Sequence, residues 1–213
     1  MHPYWPLFDL EVRTPLITLR YIDDELGVRL CDLMQQGIHD PDLIPFAHPW
    51  STVPSPQREH DAFRHWWGER IKVTPDSWSL QFAVLRDREV IGAGGLGGKD
   101  FAVVRSLQTG SWLGLAYQGK GLGKEFRAAL LHLAFAGFGA EEATTSAWSE
   151  NAKSLGVTRH WGYEPNGSRR GKQGDRLGEQ LHFRMSREHW ETIRRDGIEI
   201  VNLDACLDFL GLA

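Results

Sequence analysis

The chain has 213 residues, a formal charge of −4 and a sequence pI near 6.1, a balance that argues against the concentrated basic surface that nucleic acid requires. Its length suits one domain, or one domain with an appended tail, and no apolar run approaches the length that crosses a bilayer. Residues Met1 to Asp9 lack the basic and apolar regions of a secretion leader, and Cys31 and Cys206 match no metal or redox spacing, so a soluble cytoplasmic protein with buried free thiols and no metal is expected.

In chain order, Leu16 to Ile22 reads as a first strand with Ile17, Leu19 and Tyr21 on one face. Asp23 then caps a helix that uses Leu26, Leu30, Leu33 and Met34 and stops near Gly37. The segment HDPDLIPFAHPWSTVPSP holds five prolines and predicts a stiff, structured loop, after which Ser55-Pro56 starts a helix running through Arg70. Trp78 to Leu85 and Glu89 to Ala93 flank Asp87-Arg88 as a hairpin. Gly92-x-Gly94-x-x-Gly97 formally matches a dinucleotide fingerprint, but KDFAVVRS follows and opens no helix, so these glycines read as a flexible strand end. Lys99 to Thr109 reads as a polar connection.

Ser111 to Phe138 is the stretch around which the rest is arranged. Ser111 to Tyr117, with Trp112, Leu113, Leu115 and Tyr117, reads as a buried strand; Gly119, Gly121 and Gly123 follow at every second position. From Lys124 onward Phe126, Leu130 and Leu133 on one side and Ala129, Leu131, Ala134, Phe135 and Phe138 on the others read as a helix buried nearly all round. Strand, glycine turn and helix N-terminus together make an anion site, because the first helical N–H groups lack partners and glycine lets the backbone close on phosphate oxygens. A Walker loop does not fit: Gly119 to Lys124 is one residue short and Glu125 stands where a hydroxyl is needed. Beyond the helix, Gly139 is a cap, Ala143 to Trp148 a parallel strand, Asn151 to Trp161 a helix ended by Gly162, and Tyr163 the start of another strand. The glycine-rich segment 167–178 reads as a solvated loop carrying Arg169, Arg170, Lys172 and Arg176. Gln180 to Ser186 reads as a closing strand, and Arg187 to Gly211 as a helical tail.

Gln118-Gly119-Lys120-Gly121-Leu122-Gly123 resembles the coenzyme A pyrophosphate loop of the GCN5-related N-acetyltransferases, the GNAT superfamily. The preceding WLGLAYQGKG is similar to the subgroup containing the ribosomal-protein N-terminal acetyltransferases, and Asn151 to Tyr163 resembles the family's N-x-x-S-x-x-V…GF/Y block. The resemblance implies an α+β fold whose mixed, mostly antiparallel sheet has central parallel strands that splay, flanked by helices, over residues 1–190, with 191–213 as a tail on the same domain or a partner. It implies an acyl-CoA-dependent N-acyltransferase moving an acetyl group, or succinyl as in an actinobacterial branch it resembles, to a primary amine of a protein N-terminus, lysine or small molecule, with a homodimer common among relatives.

On that basis the main chain of Gln118, Gly119, Lys120, Gly121, Leu122, Gly123 and Lys124 is expected to hold pyrophosphate, and Leu115, Ala116 and Tyr117 to pair with pantetheine as an added strand would, with an N–H near Leu115 on the thioester oxygen. Asn151 is expected to bond pantetheine or only cap its helix. Many relatives carry a tyrosine where this chain has Thr158, so the resemblance passes proton donation to the thiolate to Ser154, the alternative being an inert helix serine. His48, Trp50, His65 and Trp66 are candidates to face the acceptor, and His48, His65, Glu179 and His182 are candidate bases. The rival expectations are a non-catalytic acyl-CoA sensor of the same fold and, more weakly, a nucleotide-binding protein.

Overall fold

The computed structural model describes residues 2–213; Met1, the first residue of the stretch read for a leader, lies outside the described residues. Strands β1 (Glu11–Arg13) and β2 (Thr18–Tyr21) pair antiparallel, and the Asp23 carboxylate accepts from the Leu26 amide at 2.8 Å to cap helix α1 (Asp24–Gln35). The expected residues of α1, Leu26, Leu30, Leu33 and Met34, are all buried, and Gly37 ends the run at φ +106°. The proline-rich loop leads into α2 (Gln57–Ile71). Strands β3 (Ser77–Arg86) and β4 (Glu89–Lys99) form the expected hairpin, with Asp87 and Arg88 both at positive φ, as a two-residue turn that follows the strand twist requires.

Next come a short helix α3 (Phe101–Val104), strand β5 (Ser106–Leu113), helix α4 (Leu122–His132) prolonged by a π-turn over Leu133–Gly137, β6 (Glu142–Trp148) and α5 (Ala152–His160). The chain closes with β7 (Glu164–Gln173), β8 (Arg176–Ser186), α6 (Arg187–Ile193), β9 (Glu199–Val201) and α7 (Leu203–Leu210). One nine-stranded sheet results, in the order β7-β8-β6-β5-β4-β3-β2-β1-β9, and among the described residues every pairing is antiparallel except β5 with β6. The expected α+β class with a mixed, mostly antiparallel sheet is the observed one. Helices α1 and α2 cover one face over Ala83, Leu85, Val90 and Ala93; α4 and the C-terminal elements pack the other around Phe82, Leu96, Phe126 and Phe135.

Four expectations are corrected. The central strand starts earlier and stops earlier than Ser111 to Tyr117: most of the polar connection is α3 and the first half of β5, and Leu115–Tyr117 is a tight 3-10 turn. Gly92, Gly94 and Gly97 are no flexible end, since β4 is paired on both sides there, with β3 and β5. Segment 167–178 is no loop but most of the β7–β8 hairpin: Gly174 makes the turn at φ +62°, and the paired Gly171 and Gly178 leave room for the Trp148 ring. The tail is not wholly helical, because β9 adds an edge strand to β1, while Trp190, Cys206 and Leu210 enter the main core.

The β4 glycines are required by strand approach. A Cβ on Gly94 would stand 2.3 Å from the Gly110 carbonyl oxygen and 2.6 Å from Ser111 Cα, both backbone atoms that cannot step aside. Gly94→Ala is therefore expected to destabilise the fold by about 1–3 kcal/mol, at about 2–4 °C in Tm per kcal/mol, measured by thermal unfolding.

Candidate functional site

Strands β5 and β6 pair only from Ser106↔Glu142 to Gln108↔Thr144 and then separate. Hydroxyls close the vertex of the opening: Thr109 Oγ1 donates to the Thr144 carbonyl and Thr145 Oγ1 to the Thr109 carbonyl, each at 3.1 Å. Beyond it, the Gly110 and Trp112 carbonyls lie against β4, where side chains of Gly94 and Gly92 would be. By the alternation of an antiparallel ladder, Ser111 and Leu113 turn their backbone groups toward the gap. Ser111 is exposed although β5 is a central strand of nine.

At the wide end of the gap lies the glycine turn. Gly119 and Gly121 adopt φ +73° and +81°, and the turn delivers the chain into α4. Among the described residues, the main-chain N–H groups of Gly119, Lys120, Gly121, Leu122 and Gly123 donate to no group of the protein, whereas those of Lys124 and Glu125 return to the Gly121 carbonyl. Five consecutive free donors at a helix N-terminus suit a doubly charged, oxygen-rich anion. The other candidates in this stretch are already engaged. Leu115 N–H donates to the Gly37 carbonyl at 3.0 Å and Gln118 N–H to the Leu115 carbonyl, so neither amide is free to face a ligand, and the edge of β5 turned to the gap is that of Ser111. Leu115, Ala116 and Tyr117 in their 3-10 turn offer no strand edge for pantetheine. The Gln118 side chain is a strut: Nε2 donates to the Ile38 and Leu113 carbonyls at 2.7 and 2.8 Å, and Oε1 accepts from Lys153 Nζ at 2.8 Å.

Asn151 caps α5, its Oδ1 accepting from the Ser154 amide at 3.1 Å, as the capping alternative had it. Its Nδ2 belongs to a second arrangement, in which Gln173 Nε2, Asn151 Nδ2 and Trp148 Nε1 donate to the successive carbonyls of Ile44, Pro45 and Phe46. The proline-rich loop is thereby strapped across the gap. Thr158 is buried and its hydroxyl is taken by the Ser154 carbonyl, while Ser154 Oγ has no protein partner among the described residues and stays partly open.

On the sheet face covered by α1 and α2 lies a cavity of about 910 Å³, walled by Trp50, Trp66 and Trp112, floored by Gly94, Gly95 and Gly97, and reaching Thr109 and Ser111 at the gap. His48 and His65 both line it; Glu179 and His182 do not, and Glu179 accepts from Ser168 on the outer hairpin. The His65 pKa is lowered below its ordinary 6.5, first by desolvation and also by Lys72 and His48, against an opposing pull from Glu69. Trp50 lies against Phe46 and Trp112 at 4.8 and 5.7 Å, so it serves packing and cavity wall at once.

Arg58 and Asp61 at the cavity, and Arg127 beneath β5, were not singled out from sequence. For Arg127 a signal existed: it stands among Phe126, Ala128, Ala129, Leu130 and Leu131, an apolar run of a helix read as buried nearly all round.

A family model described as an acetyltransferase (GNAT) domain matches residues 18–164, over half of the chain. The chain belongs to the GNAT acetyltransferase family. Solved GNAT structures superpose on most of it: a GCN5-related N-acetyltransferase from Brucella melitensis (18% identity, 86% of this chain and 81% of that one, TM-score 0.66). An acetyltransferase from Salmonella typhimurium that modifies the N-terminal serine of a ribosomal subunit protein matches at 15% identity, over 81% and 96% of the two chains, with TM-score 0.67. A microcin self-immunity acetyltransferase in complex with acetyl-CoA and AMP matches at 16% identity, over 81% and 93%, with TM-score 0.63. Among the described residues of this GNAT chain, no helix is long and apolar enough to cross a membrane and no cluster of metal-ligating side chains occurs.

Proposed function

We propose that this GNAT enzyme transfers an acetyl or other short acyl group from coenzyme A to a primary amine by direct attack. The observation that carries the reading is the run of five unpartnered amides from Gly119 to Gly123 at the mouth of the β5–β6 gap. These amides bind the pyrophosphate. The pantetheine arm runs down the gap as a surrogate strand against the edge of β5 at Ser111, and the Ser111 N–H stands at the thioester oxygen, where it stabilises developing negative charge.

The amine enters from the cavity on the opposite face, which reaches Ser111 of β5. His65, held below the usual histidine pKa, is neutral at physiological pH and takes the proton of the attacking ammonium, directly or through water, with His48 beside it. Ser154 Oγ, free of protein partners, returns a proton to the leaving thiolate. Direct attack is favoured over an acyl-cysteine because both thiols sit in packed cores, where burial pushes the Cys31 pKa up to about 11 and that of Cys206 to about 12. A protein N-terminus, a lysine and a small amine all satisfy a cavity of this size; the ribosomal-protein acetyltransferase among the structural neighbours favours the first.

Calorimetric titration with coenzyme A tests the donor site. Gly121→Asp keeps a residue type that tolerates positive φ but places a carboxylate among the amides, and it is expected to weaken binding by about 100-fold or more; unchanged affinity would remove the pyrophosphate assignment. Ser154→Ala is expected to lower kcat by about 10-fold or more with coenzyme A affinity preserved, since proton transfer by a positioned group contributes about that and upward. In the same assay, kcat/KM should fall on acidification with an apparent pKa below 6.5 as His65 is protonated, and His65→Gln should abolish that limb. A profile identical in wild type and variant would exclude His65 as the base.

A further inference from the structure

The glycines of β4 are accounted for by what presses on them. A Cβ on Gly92, Gly94, Gly95 or Gly97 would run into a backbone oxygen of a neighbouring strand. Gly110, in the middle of β5, differs. Its φ lies outside the left-handed range, and apart from its chain neighbours no described atom comes within 4 Å of the place its Cβ would take, so the fold itself asks for no glycine there. Glycine weakens a strand, and bare backbone inside one marks a place that another molecule or chain approaches closely.

Gly110 faces the aromatic cavity. It pairs with Gly95, Gly95 pairs with Gln81, and Trp112 lies two residues on, so Gly110, Gln81 and Trp112 share the cavity face of the sheet. Polar side chains around this surface are engaged with one another: Gln81 Nε2 donates to Ser79 Oγ at 2.8 Å, Arg58 Nη2 to Glu59 Oε1 at 2.7 Å, and Asp61 Oδ1 accepts from Gln57 and Arg64 at 2.7 and 2.8 Å. What they leave to a ligand is the indole surface of Trp50, Trp66 and Trp112 above a bare strip of strand. A flat ring suits that combination, with its face on the peptide at Gly110 and its edge against indole. Ser111, where amine and thioester meet in the proposed reaction, is about 3.3 Å further along the strand, so ring and reacting nitrogen are joined by a short spacer.

We infer that Gly110 determines acceptor specificity as the bare backbone on which an aromatic ring rests, and that the acceptor is an arylethylamine, a primary amine two carbons from a planar ring, free or as the first residue of a peptide. The inference rests on the proposed acyl transfer and names its acceptor. The neutral amine gains the acyl carbon as the carbon–sulfur bond breaks, and the proton it loses balances the one that the thiolate takes up.

The test titrates 2-phenylethylamine and 2-cyclohexylethylamine, matched in length and charge, into the full chain saturated with coenzyme A, read by calorimetry. Wild type is expected to bind the phenyl compound about 5-fold more tightly, the scale of a ring-on-ring contact. Gly110→Val should weaken that binding by about 10-fold or more and keep coenzyme A affinity within about 3-fold, while raising Tm by about 1–4 °C as a strand former replaces glycine. A substitution acting only through the fold would lower Tm instead. Equal binding of the two amines by wild type overturns the aromatic acceptor whether or not the variant folds, and a Gly110→Val chain that binds phenylethylamine like wild type overturns the role of Gly110. Thiol release from acetyl-CoA with phenylethylamine and with hexapeptides beginning in Phe or Ser separates the sources: preference for the free amine or for the Phe peptide assigns one, and faster turnover of the Ser peptide than of either overturns the class. If phenylethylamine bound as expected but no amine released thiol, the acyl-transfer reading would fall while the ring site stood.

Discussion

The structure turns on a failure of pairing in the middle of its own sheet. Strands β5 and β6 are parallel neighbours that share three residue pairs and then part, leaving main-chain donors and acceptors unmet where a continuous sheet would have satisfied them. Buried backbone groups without partners are costly, so such a gap persists only where its surroundings hold it open and a visiting molecule completes it. The first condition is met in named side chains. Gln118 props the wide end by gripping Leu113 and Ile38, and threonine hydroxyls rivet the narrow end.

Around that gap the two faces of the sheet divide the chemistry. The face under α4 carries the unpartnered amides of the glycine turn and the buried guanidinium of Arg127, and the face under α1 and α2 carries the aromatic cavity with its histidines. The two sides meet at Ser111, so in the proposed reaction the amine and the thioester approach from opposite directions. The strap formed by Ile44, Pro45 and Phe46 ties the loop bordering the cavity to β6, α5 and the outer hairpin, which links the cavity mechanically to one of the two strands that bound the gap.

Local chemistry was legible in the sequence wherever a residue acts within a few positions of itself along the chain. Asp23 as a cap, the turn at Asp87-Arg88, and the glycine turn into α4 all follow from short-range rules and stand where those rules put them. Features that depend on a distant strand were not legible. Gly92, Gly94 and Gly97 look flexible in isolation and are rigid because β3 and β5 press on both sides; the glycines of 167–178 look like loop and are strand because Trp148 needs a flat surface to lie on. Leu115 to Tyr117 has the apolar content of a strand, but the Gly37 carbonyl captures the Leu115 amide and curls the chain into a turn. The same long-range dependence hid the roles of Gln118 and Arg127, whose partners lie on other elements.

The order of strands also has a consequence for how the protein is made. One rim of the sheet is the β7–β8 hairpin and the other is β9 against β1, so strands that follow α5 in the chain supply both borders. A nascent chain that has been synthesised only through α5 holds the glycine turn and its helix but exposes β6 on one side and β1 on the other, two open templates for association with neighbouring chains. Shielding of the unfinished sheet, by a chaperone or by rapid completion of translation, is thus a requirement built into its connectivity.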